Sequence, residues 1–278
     1  MKEDNFFLGQ LADKIAQCEN KYITTYTNFM DTHQQSIARI YCKKNFIPVL
    51  DEDPASKGSD ASDWSSAGVS GFGHLPPTRS VFYGGYKDAE RVILINMPDY
   101  TTLEEENPLT VIRAIKAEGS RELTHRDYLG SLVGLGIKRE LLGDILVRED
   151  GADIIVMSDI ADFIMMHYGK AGRTNLSLTK MEIKDLIVPE QKKTVITDTV
   201  ASLRLDCVAA SAFGLSRGKA SEAITRGIVF VNHMEVTKPD YQLSEGDKIT
   251  LRGKGKAVLS EIGGKSRKDR QYIKIERY

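Results

Sequence analysis

The sequence predicts an α+β protein of three modules, and three observations carry that prediction. Apolar residues recur at helical spacing from Asn5 to Phe46, the middle of the chain alternates short β-rich runs with helical stretches, and the last third repeats that alternation with a different charge. The expected divisions are 1–77, a helical region ending in a Gly/Ser/Pro-rich loop; 78–190, a mixed middle module; and 191–278, a small basic module.

In the first module Phe7, Leu8, Leu11 and Ile15, then Tyr22, Tyr26, Phe29 and Met30, then Ile37, Ile40 and Tyr41 keep helical spacing with no proline before Pro48, so two or three helices are expected. From Asp51 to Pro77 the composition turns to Asp, Ser, Gly and Pro, which reads as a long loop. Its Trp64, the one tryptophan, is expected to dock on the core rather than stack on a base.

Ser80–Tyr86 and Arg91–Met97 are β-rich runs around Lys87–Glu90, the pattern of a hairpin, with Gly84-Gly85 as its bend. Leu109–Ala117 is read as a strand. Thr124 caps a helix running to Leu135 with Leu129, Leu132 and Val133 inward. Glu149-Asp150-Gly151 joins two further strands, and Ser158 or Asp159 caps a second helix ending at Gly169. With a last strand near Leu176–Ile183 the order is β-α-β-β-α-β, a ferredoxin-like (RRM-like) unit that offers an open sheet face for RNA, although no RNP1-type run is present.

In the third module Leu205, Val208, Ala209 and Ala212 form one helical side ending at Gly214. Ser216 caps a second helix with Ala220, Ala223 and Ile224 inward and Arg217, Lys219 and Arg226 outward, near one another. The period then becomes two, from Ile228 to Val236 around Asn232-His233 and again from Lys248 to Leu251.

The composition bounds function. The chain has 278 residues, 41% hydrophobic and 28% charged, which excludes disorder throughout. No run of 18 apolar residues exists, and Lys2, Glu3, Asp4 and Asp13 interrupt the start, so a membrane span and a secretory signal are excluded and a cytoplasmic location is expected. Cys18, Cys42 and Cys207 have no C-x-x-C spacing, and the five histidines form no H-x-E or H-E-x-x-H pattern, so neither metal nor cofactor is expected. The formal net charge of -1 hides a polarity: residues 195–278 carry net +5 and the remainder net -6, which points the C-terminal module toward a polyanion.

Four ordered motifs identify that module. L-R-L-D-x-V (Leu203–Val208), L-S-R-G-K-A (Leu215–Ala220), I-x-x-G-I-V-x-V-N (Ile224–Asn232) and E-G-D-K-I (Glu245–Ile249) resemble the RNA-binding domain named after ribosomal small-subunit protein four. His233 stands where that family usually has glycine. Upstream, H-R-D-Y-L-G-S-L-V-G-L-G-I-K-R-E-L-L-G-D-I (His125–Ile145) resembles the bacterial YlmH family, related to photosystem II S4-domain-like proteins. The resemblance implies a non-enzymatic binder of structured rRNA or tRNA, linked to large ribosomal subunits carrying stalled peptidyl-tRNA and encoded near cell-division genes. An RNA-modifying enzyme and a cell-division adaptor are the alternatives.

On this reading the RNA contacts are Arg204, Arg217, Lys219 and Arg226, with Lys238, Lys248, Arg252, Lys254 and Lys256 around them and Lys138 and Arg139 as a second tier. The basic segment from Arg252 onward reads as phosphate contacts or as a solubilising tail whose Tyr272, Ile273 and Ile275 add a strand; five phosphate contacts would give a slope of log K against log salt of roughly -3.5 to -4.5. Asp206 invites comparison with the catalytic Asp of pseudouridine synthases, but its place at a helix start fits a structural ion pair better. Neighbouring His125, Arg126 and Asp127 cannot converge on one point from a helix, so a cap and surface role is expected of them.

Overall fold

The structure, a computed structural model, describes residues 2–50, 78–87, 89–189 and 193–278. The expected 51–77 loop and the docking of Trp64 lie outside the described residues. The fold is mixed helix and sheet, and the chain divides into two compact units, Met1–Pro189 and Glu190–Tyr278.

The first unit begins with α1 (Lys2–Lys21), β1 (Thr25–Tyr26), α2 (Thr32–Lys44), β2 (Val49–Leu50), β3 (Thr78–Tyr83) and β4 (Ile93–Pro98), whose strands form a sheet in the order β1-β4-β3-β2. Asp31 caps α2 in a reciprocal box with Gln34. Two helices form where two or three were expected, and Tyr22–Met30 is not helical. Tyr22 takes a left-handed φ of 52°, Thr25 pairs with Asn96, and Met30 bridges to Val92. The β-branched run Thr24-Thr25 followed by Tyr26 favours an extended chain over a third helix. The predicted hairpin forms between β3 and β4, with Gly85 at φ +92° in its bend. One face of this sheet packs Phe82 and Leu94 against Leu11, Ile15, Ala38 and Cys42 of the helices. The other face meets the next sheet, so β4 is buried along its whole length.

That next sheet comprises β5 (Leu109–Lys116), β6 (Leu142–Val147), β7 (Gly151–Met157), β8 (Lys170–Ala171) and β9 (Thr174–Met181), with α3 (His125–Gly134) and α4 (Ala161–His167) between strands. The order is β6-β7-β5-β9-β8, every neighbour antiparallel. Tyr128, Leu132, Ile164 and Tyr168 of the helical layer cover Ile112, Ala114, Ile154 and Val156. Tyr128, four residues before Leu132, takes the inward place expected of Val133, which is 47% exposed. Neither Ser158 nor Asp159 caps α4; it enters through a 3-10 turn, Ser158–Ile160, and the Ser158 hydroxyl pairs with that of Thr110 at 2.7 Å.

The expected open sheet face is a correction. Leu109 and Val111 of β5 and Ile155 and Met157 of β7 point away from the helices but lie buried against Phe29, Val81, Ile93, Ile95 and Met97 of the N-terminal layer. Arg91 fastens that seam by donating to the carbonyls of Phe29, Arg139 and Leu142, while Asp144 accepts the backbone N–H groups of Glu90 and Arg91.

The second unit is β10 (Thr194–Val200), α5 (Leu205–Phe213), α6 (Arg217–Thr225), β11 (Val229–Val231), β12 (Met234–Glu235), β13 (Lys248–Leu251), β14 (Gly255–Lys265) and β15 (Gln271–Arg277). They form one antiparallel sheet, β10-β15-β14-β13-β11-β12. Both helices pack on one face through Leu205, Val208, Ala212, Ala220 and Ile224, as their spacing predicts. The basic C-terminal segment is ordered in β14 and β15, with Ile273 and Ile275 in the core. Gly214 and Gly227 end the two helices in the left-handed region. Asn232 and His233 both have positive φ, 48° and 65°, so the tight β11–β12 turn forms although His233 replaces glycine.

Candidate nucleic-acid interface

The start of α5 is organised around Asp206, only 3% exposed. Arg204, the residue preceding α5, donates from Nε and Nη2 to its two oxygens at 3.0 and 3.1 Å, and Arg217, first in α6, adds Nε at 2.9 Å. Burial by itself would raise the Asp206 carboxyl, but the two guanidinium groups outweigh it and hold it below the usual carboxylate range. A carboxylate engaged in this way is a clasp joining two helix starts. It orients both guanidinium groups.

The two arginines differ in what remains available. The Arg204 side chain is 35% exposed and spends Nε and Nη2 on Asp206; Arg217 is 57% exposed and bonds through Nε alone among the described residues. Lys219 stands two residues further along α6, exposed, its backbone N–H capped by Ser216 and its ammonium without a partner among the described residues. Arg217 and Lys219 thus offer a pre-oriented fork and a mobile point charge at one helix start, a pairing suited to phosphate oxygens.

The other expected contacts are dispersed. Arg226 follows the last turn of α6, about 13 Å along the axis from Arg217 rather than beside it, near Glu222 at 3.7 Å. Lys248 and Lys256 alternate with Ile249 and Ala257, whose side chains enter the core under the helices, so both lysines lie on the opposite face of the sheet. Arg252 and Lys254 are exposed in the β13–β14 turn, and Lys238 is exposed in the loop after β12.

In the first unit Lys138 is exposed and 3.9 Å from Glu140, while exposed Arg139 lends its carbonyl to Arg91. Asp127 completes a capping box with Thr124 and pairs with Arg121 at 2.6 Å, which holds its carboxyl well below the ordinary range. Partial burial and the nearby Arg139 push His125 down, toward the neutral ring. Cys18 and Cys42 are buried thiols pushed up to about 11 by desolvation. Among the described residues no three His, Cys, Asp or Glu side chains gather as metal ligands, and no helix is long and apolar enough to cross a membrane.

Two family models match. Residues 107–185 match an RNA-binding domain in YlmH, and residues 203–249 match the S4 domain. Ribosome-associated protein quality control protein P2 of Bacillus subtilis (strain 168) is 39% identical over 197 residues, 70% of this chain and 77% of that protein. A solved structure, cell division protein YlmH from Streptococcus pneumoniae, superposes with a TM-score of 0.46 at 24% identity over 66% of this chain and 94% of that one. The identity to the Bacillus protein, together with two RNA-binding domains in the order the motifs predict, places the chain in the YlmH family.

Proposed function

We propose that this protein binds structured RNA on the large ribosomal subunit, in quality control of stalled peptidyl-tRNA, and acts by holding rather than by bond chemistry. The Asp206 clasp carries the reading: a buried carboxylate aims Arg217 outward beside Lys219, an arrangement for gripping phosphate. The name of the Bacillus relative supports the ribosomal setting. The strand order of the 109–181 sheet supports a ferredoxin-like middle module, and the unit boundary at residue 190 supports a separate S4 domain; the further division near residue 77 rests on the sequence composition alone, since the β3–β4 hairpin shares its sheet with β1 and β2. The setting is cytoplasmic. Arg204, Arg217, Lys219 and Arg226 contact rRNA or tRNA phosphates, with Lys238, Arg252 and Lys254 at the periphery, Lys248 and Lys256 on the second face of the S4 sheet, and Lys138 and Arg139 adding a weaker contact from the first unit. No cofactor takes part.

Ultraviolet crosslinking in growing cells, followed by sequencing of the RNA attached to the tagged protein, tests this. The expected result is enrichment of large-subunit rRNA together with tRNA. Crosslinks scattered through messenger RNA without ribosomal enrichment would contradict it, and a mass change in RNA incubated with the pure protein would contradict the non-enzymatic part.

A further inference from the structure

The family match assigns RNA binding to residues 107–185 without saying which surface is used. The sheet face opposite the helices is a poor platform for bases. Its Leu109, Val111, Ile155 and Met157 are buried under the N-terminal layer, and the rest of β5 and β7 on that side carries Arg113, Ile115, Asp153 and Gly151, none aromatic. The Arg113 guanidinium is already clasped to buried Asp153, at 2.7 and 2.8 Å.

A different surface of the same unit has the chemistry of an anion site. The loop from β5 to α3 and the turn from β8 to β9 border an open concavity of about 750 Å³, into which Arg121 comes from the loop and Arg173 from the turn, with Ser120 and Asn175 between them. Arg121 is held in place: Nη2 donates to Asp127 at 2.6 Å, and Asp127 is itself fixed by the N–H and hydroxyl of Thr124, each at 2.8 Å. Gly172 makes room for it, because a Cβ there would stand 3.3 Å from Arg121 Nη2, and its φ of +60° suits glycine. Arg173 is exposed with no partner among the described residues. Lys170 pairs with Asn175 across the ribbon and therefore lies on the same side of it. Glu118 and Glu122 belong to the same loop but do not line the concavity.

We propose that this concavity is a phosphate subsite, taking a backbone phosphate of RNA between the fixed Arg121 fork and the free Arg173. The assignment rests on the RNA-binding reading above. The concavity is open to solvent, as the continuing chain of a polymer requires.

The test is titration of the full chain with purified large-subunit rRNA over a series of KCl concentrations. Arg173→Gln removes a side chain with no partner to lose, so the fold is expected to stand, and the slope of log K against log salt is expected to shrink by about 0.7–0.9. Arg121→Lys keeps the charge beside Asp127 and is expected to weaken binding less. Lys184→Gln, an exposed cation of the same unit paired with Glu182, is expected to bind like wild type. If Arg173→Gln matches wild type while Lys219→Gln weakens binding, the subsite is overturned and the RNA reading stands. If wild type fails to bind the RNA, that reading fails first. Equal weakening by Lys184→Gln and Arg173→Gln would reduce the effect to overall charge and overturn the subsite. Inorganic phosphate at matched ionic strength erasing the difference between Arg173→Gln and wild type would assign the concavity to the free anion and overturn the RNA assignment.

Discussion

Each unit contains a buried aspartate clasped by two arginines, and the two clasps serve different ends. In the first unit Asp153, fully buried, takes two bonds from Arg113 and one from Arg148 at 3.2 Å; the arginine side chains are only 22% and 27% exposed, and Arg148 is further engaged by Asp150. In the second unit Asp206 takes the same three bonds, from Arg204 and Arg217, yet Arg217 stays more than half exposed with its terminal nitrogens unengaged among the described residues. The motif is shared, and the surroundings decide its use. Asp153 pins two strands of a sheet whose face is largely covered. Asp206 pins two helix starts at a surface.

The largest effect is expected where the first unit is covered. Phe29→Ala empties a position 2% exposed at the seam between the two sheets and is expected to cost about 3–5 kcal/mol in the unfolding of that unit, followed by calorimetry. A loss under about 1 kcal/mol would mean the N-terminal layer does not hold the sheet closed.

Asp206→Ala comes next. It strands two guanidinium groups beside a buried gap and is expected to cost about 3 kcal/mol, at the low end for a broken buried pair because both arginines reach water. The pH dependence sharpens the point. The folded carboxyl is held below its unfolded value, so its stabilisation is complete above about pH 4 and is lost as pH falls through the folded pKa. Asp206→Asn is expected to flatten that acid limb in the second unit; an unchanged limb would show that Asp206 is not the group responsible.

The smallest effect concerns a turn. His233 sits at φ 65°, where an L side chain is strained, and His233→Gly is expected to stabilise the second unit by about 0.5–1 kcal/mol, read as a rise in Tm. A fall in Tm would show that the His233 side chain contributes more to the turn than its backbone conformation costs.

Much of the second unit was legible because its helices are short and amphipathic: Leu205, Val208 and Ala212 repeat at helical spacing, and Ser216, Gly214 and Gly227 mark the ends. β10 was not, since its exposed Thr and Asp residues give little apolar alternation and it is fixed by pairing with β15, far along the chain. Tyr26, Phe29 and Met30 fit a helical period by coincidence while acting in β1 and the chain after it. The covered sheet had one sequence signal: the continuous apolar run Val92–Ile95 reads as a strand buried on both faces, which requires a second layer.

The candidate site was legible in residue type more than in arrangement. Strand alternation already separates Lys248 and Lys256 from the helix face, once Ile249 and Ala257 are taken as core. Eight helical residues likewise lie between Arg217 and Arg226. Arg121 and Arg173 carry no joint signal, because only the fold brings a β5–α3 loop beside a β8–β9 turn.

The central claim is that Arg217 and Lys219 form the principal RNA contact of the second unit, and the most direct measurement is the salt dependence of binding to purified large ribosomal subunits. Replacing both residues with glutamine is expected to reduce the slope of log K against log salt by about 1.4–1.8 while the second unit still folds, with a Tm lowered by loss of the Arg217–Asp206 bond. A double variant that folds and binds with the wild-type slope would contradict the account.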